Sequence, residues 1–170
     1  MSREFESYNV GRNLYLSKFC LESGLDSSIK TFFEEVSKSL SHLDIHLESV
    51  DITEADNIDE FLFQRLNEKE ISFLSLGVAV GMVQSVLFSL SSLDDPIPPT
   101  TQGRMIGTID LALHRIGMVL DELGMLETAG ALIENIHPLL CDFSKLKESS
   151  SFLLSEFEVF GSQIKAQFEG

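Results

Sequence analysis

The chain has 170 residues, 44% hydrophobic and 23% charged, which fits one ordinary globular domain and excludes an intrinsically disordered chain. Its 27 acids outnumber 12 bases for a net charge of −15, so it lacks the basic face that nucleic acid or an anionic membrane surface requires. Cys20 and Cys141 are too few for a disulfide framework, and residues 1–4 lead into a charged segment without the apolar run of a secretion signal. Reduced thiols and a cytoplasmic location are therefore expected.

Phe5, Tyr8, Leu14, Tyr15, Leu16 and Phe19 predict a first helix over about residues 3–21, with a break expected near Asn9–Gly11 because glycine is costly inside a helix. Ser23 and Gly24 end it, and Asp26 is placed to cap the next. In that next segment Ile29, Phe32, Phe33, Val36, Leu40, Leu43, Leu47 and Val50 recur at three- and four-residue steps, the stripe of a helix over about 27–50. Residues 43–48 alternate as a strand would, but the helical register runs through both ends of that stretch. Thr53 and Asp56 form a capping-box-like start for a third helix, about 54–66, whose apolar face is Ile58, Phe61, Leu62 and Leu66. The polar residues 67–70 are expected to separate it from the next helix.

Residues 71–93 contain no charge. They are long enough to span a bilayer, but six serines, Gln84 and two glycines dilute them. Both flanks are acidic, with neither the basic asymmetry nor the aromatic anchors of a membrane span. The segment is read instead as the buried central helix of an all-α bundle. Gly77, Gly81, Ser85 and Ser89 line one side of it, a strip where a neighbouring backbone can approach closely. Gly81→Leu should then overpack the fold by ~1–3 kcal/mol.

Three of the residues at 96–99 are proline, so residues 94–100 form a loop, with Thr100 or Thr101 capping the next helix. Ile106, Ile109, Leu113, Ile116, Leu120 and Leu123 mark that helix, about 101–123, and Gly124 its stop. A shorter helix over 127–136 meets His137–Pro138. A last helix, firm from about Ser151, carries Leu153, Phe157, Phe160, Ile164 and Phe168, with Leu146 before it. The expected fold is a single all-α domain over 1–170, six or seven helices around the central one at 71–93. Residues 80–83 and 116–119 share a Gly-Met-Val core at an offset of 36, which is read as coincidence because no third copy flanks them.

Catalytic and metal patterns are sparse. His42 and His46 share a helix face at metal-binding spacing, but no third ligand lies nearby in sequence. His114 could act as a base only with Asp110, four residues earlier. Glu134 and His137 match half of a di-iron motif that needs a second copy. No nucleophile elbow, phosphate loop or dinucleotide fingerprint is present. The sequence thus favours a non-enzyme with no cofactor; a metal protein or enzyme using His42/His46 or His114 is the alternative.

The acids are more distinctive. Between Lys38 and Arg65 there is no base, but Asp44, Glu48, Asp51, Glu54, Asp56, Asp59 and Glu60 fall within 17 positions. Capping and first-turn acids explain part of such a run. The rest fits a docking face for a basic protein partner, as in immunity proteins, inhibitors, chaperones or adaptors. A homodimer built on the strip from Gly77 to Ser89 is a further alternative. A second stretch without a base, 116–144, holds Asp121, Glu122, Glu127, Glu134 and Asp142.

Overall fold

The computed structural model describes residues 2–24, 26–45, 60–92 and 96–169. Every regular element among them is helical: α1 (Arg3–Ser23), α2 (Asp26–His42), α3 (Glu68–Ser92), α4 (Pro99–Glu122), α5 (Leu126–Ile136), a 3-10 helix (His137–Cys141) and α6 (Phe143–Glu169), with residues 60–63 also helical. The expected all-α class holds. By contacts the chain forms two compact units, Met1–Gly81 and Met82–Phe168, and the division falls inside α3.

In the first unit α1 runs unbroken through Gly11, against the expected break. Ser2 starts it, its Oγ accepting the Phe5 amide at 3.2 Å. Gly11 is retained because α3 passes at backbone distance. A Cβ on Gly11 would collide with the Leu74 carbonyl, and one on Gly77 with the Tyr8 carbonyl and, at 2.8 Å, the Arg12 amide. At Gly81 it would lie 2.9 Å from the Arg12 carbonyl oxygen and 3.1 Å from the Tyr15 Cβ. The small-residue strip therefore receives α1, and at Gly77 and Gly81 it is closed to a second copy. α1 is itself buried nearly all round, with Tyr8, Val10, Leu16, Ser7, Asn13 and Ser17 all inside. The unit thus has two inner helices where periodicity suggested one.

α3 begins three residues before the expected 71, because Asn67 caps it instead of breaking it. Asn67 Oδ1 accepts the Glu70 amide at 2.8 Å, and Glu70 Oε1 accepts the Asn67 amide at 3.0 Å, a reciprocal capping box. Serines are tolerated in so apolar a helix because their hydroxyls donate to the preceding turn: Ser72 to the Glu68 carbonyl, Ser85 to Met82, Ser89 to Ser85, and Ser91 and Ser92 to Phe88. By length and composition α3 could cross a membrane, but 67% of its most apolar window is buried inside the protein.

α2 stops at His42, earlier than the expected 50. Asp44 takes a positive φ of 58°, and the amides of Ile45 and Asp44 turn back to the Leu40 and Ser41 carbonyls at 2.9 and 3.1 Å. This is a Schellman ending in which Asp44 holds the left-handed position usually given to glycine. Ile45 then packs with Leu40, Val36, Leu43, Val10, Leu62, Leu66 and Leu74 in one apolar cluster. Leu47, Val50, Thr53, Asp56 and Ile58, assigned to helices from sequence, lie outside the described residues.

In the second unit the proline segment feeds α4 directly. Pro99 is its first residue, where a missing amide costs nothing, so neither Thr100 nor Thr101 is the cap. Gln102 Nε2 donates to the Ile97 carbonyl at 2.9 Å and ties the segment down. Ile109, Leu113, Ile116 and Leu120 face inward as their spacing predicts. Gly124, at φ 70°, ends the helix with amide bonds from Gly124 to Asp121 and from Met125 to Leu120. α6 starts at Phe143, eight residues before its expected firm part. Asp142 Oδ1 accepts the Lys145 amide at 3.3 Å, and buried Ser150 donates to the Lys147 carbonyl at 2.8 Å, so the serine run continues the helix. Gly117 meets open space whereas Gly81 meets α1, so the repeated Gly-Met-Val residues serve different environments.

Gly77→Ala should lower unfolding free energy by ~2–3 kcal/mol, since two backbones must separate to admit one methyl. Gly117→Ala, with nothing within 4 Å, should instead raise it by about 0.5–1 kcal/mol through helix propensity. Urea titrations of both variants check the pair.

Candidate functional site

The acidic run begins at Asp44 and closes at Glu60, and both side chains are exposed. Glu48, Asp51, Glu54, Asp56 and Asp59 lie outside the described residues. The two ends of the run are held by the same apolar cluster: Leu43 precedes it and Ile45 follows its first acid, and Leu62 and Leu66 come after it. Asp44 has a backbone role as well as a charge, because it is the left-handed residue that ends α2. Beyond the run, Arg65 Nη1 donates to the Phe61 carbonyl at 3.0 Å, and its guanidinium carbon lies 3.6 Å from the centre of the Phe61 ring.

The first turn of α1 fastens the start of the run. Arg3 Nε donates to Glu70 Oε2 at 2.7 Å, and its Nη1 to the Leu43 carbonyl at 3.1 Å, immediately before Asp44. Glu70 is 2% exposed, and its other oxygen caps α3 through Asn67. One carboxylate thus joins the start of α3, the start of α1 and, through Arg3, the end of α2. Below it, Glu6 Oε1 lies 3.2 Å from His42 Nδ1, a close approach of α1 and α2 without hydrogen-bond geometry. Sequence reading missed Glu70, treating residues 67–70 as a break. The Asn-x-x-Glu spacing was the available signal.

The other candidates do not converge. His42 faces Glu6, and its metal-spaced partner His46 lies outside the described residues. Among the described residues no group of three or more His, Cys, Asp or Glu is placed to hold a metal ion. His114 and Asp110 are exposed on the outside of α4; Glu134 and His137 are exposed around the end of α5. Both thiols are free: Cys141 is exposed, and burial pushes the Cys20 thiol above its ordinary value, away from the reactive thiolate. Asp121, Glu122, Glu127, Glu134 and Asp142 of the second acidic stretch are all exposed.

The second unit has a cleft of about 580 Å³ between the end of α3, the proline segment and the start of α6. Leu90, Ile97 and Phe143 line it, with Gln102, Lys147 and Glu148. The described residues that line it include no histidine or cysteine.

Two substitutions test this framework. Glu70→Gln should cost about 2 kcal/mol in a urea titration, the scale of a charged hydrogen bond whose arginine is half exposed, while exposed Glu68→Gln should change little. Asp44→Gly should stabilise by about 0.5 kcal/mol, because glycine takes the left-handed position without steric cost. No family model, no curated protein and no solved structure matches the chain.

Proposed function

We propose that the chain is an acidic helical interaction module that docks a basic protein partner through the run from Asp44 to Glu60. The supporting observation is the charge: −15 overall, with seven acids and no base between Lys38 and Arg65. The exposure of Asp44 and Glu60, and the tethering of both flanks to one cluster, are consistent with a docking face carried on a firm base. Complementary charge of this kind raises the encounter rate and selects against acidic partners more than it deepens affinity. Immunity or inhibitor proteins, secretion chaperones and adaptors share this physics.

The reading is tested by capture from a lysate of the source cells, with identification of what binds. The captured protein should be basic, and capture should weaken when ionic strength rises from about 0.01 M to about 1 M, which shortens the Debye length from ~30 Å to ~3 Å. The variant D51K/E54K/D56K/D59K should lose capture. A control with the same charge change on the second acidic stretch, D121K/E127K/E134K/D142K, should keep it. Equal capture by both variants would show that the run is only a solvated surface.

A further inference from the structure

α4 turns its apolar stripe inward, yet its outer side carries a second pattern that solvent alone does not explain. Arg104, Leu111, Arg115, Met118 and Glu122 are all exposed. At about 100° per residue they lie along one line of the helix; Arg104 and Glu122 point the same way, ~27 Å apart. Leu111 and Met118 remain 47% and 53% exposed. Gly107 lies close to the same line, with nothing within 4 Å of where its Cβ would be. Among the described residues, the side chains of Arg104, Arg115 and Glu122 form no ion pair. Arg104 and Arg115 are also the only arginines after Arg65, in a chain with net charge −15.

We propose that a second copy of this chain docks antiparallel along this line of α4. One register pairs the charges at its two ends and covers the apolar side chains between them. Arg104 of each copy meets Glu122 of the other at the two ends. Met118 enters the open space over Gly107, and Leu111 packs on the aliphatic stem of Arg115. A two-fold axis repeats each contact, so the patch is its own complement and closes as a dimer. Net charge argues for this line in particular. Two copies repel over most of their surface, whereas here the arginines outnumber the glutamate and no acid faces its own copy. The other exposed apolar line, Phe152 and Val159 on α6, fails this requirement, because the same two-fold pairing sets Glu156 against its own copy. A single pair of helices is a small interface, so the dimer belongs to the weak, reversible class. It is independent of the acidic run and of the function proposed for it.

Sedimentation velocity of the full chain over a range of concentrations up to about 1 mM, the scale of weak association, tests the proposal. The wild type should move from monomer to dimer. R104E and E122R should each weaken dimerisation at least tenfold, and the exchange R104E/E122R should restore it, since the pair is re-formed with its signs swapped. Far-UV circular dichroism of each variant should match the wild type, as both positions are exposed. A wild type that stays monomeric, single variants that dimerise normally, or a folded double variant without recovery would each overturn the proposal.

Discussion

The first unit depends on one steric fact: α1 and α3 approach each other backbone to backbone. Gly11 on one helix and Gly77 and Gly81 on the other leave no room for a Cβ at their crossing. A glycine inside a helix costs about 1 kcal/mol relative to alanine. That cost is offset by dispersion contacts and buried area that larger residues would hold apart. The close approach also explains why the inner helices carry so many small hydroxyl side chains. Serine fits a narrow space and satisfies its own polar group by donating to the turn before it.

Around this crossing the polar groups act as fasteners. Glu70 is the most consequential, since it caps its own helix and receives Arg3, which in turn holds the end of α2. A buried carboxylate without such partners would be strongly destabilising; bonded to Arg3 and to the Asn67 amide, and through Arg3 to Leu43, it fixes the relative positions of three chain segments. The acidic run starts one residue beyond that fastening.

The second unit uses different means. Its helices are bounded by local devices: Pro99 at the start of α4, a Schellman ending at Gly124, His137 and Pro138 after α5, and Asp142 before α6. Its apolar stripes follow their spacing closely, and its two arginines, Arg104 and Arg115, stand exposed on α4, whereas the run from Asp44 to Glu60 holds no base. That contrast separates the two binding surfaces proposed for the chain, one selected by acidity and the other by its local relief from acidity.

The all-α class, the inward faces of α4 and α6, the stop at Gly124 and the buried character of α3 were all legible in the sequence, because each arises from helical periodicity or from turn chemistry within a few residues. The small-residue strip at Gly77 and Gly81 was legible too, though not what fills it. Tertiary structure alone decided that α1 fills it, that Gly11 therefore continues a helix instead of breaking it, and that Glu70 is a buried junction. The early end of α2 was hidden for a related reason: its apolar stripe continues past His42, and only the packing of Ile45 back onto Leu40 favours the left-handed turn at Asp44. Local sequence reports which residues want burial and which can cap a helix. It does not report which backbone comes close enough to forbid a side chain, since that depends on contacts between residues more than sixty positions apart, such as Gly11 and Leu74.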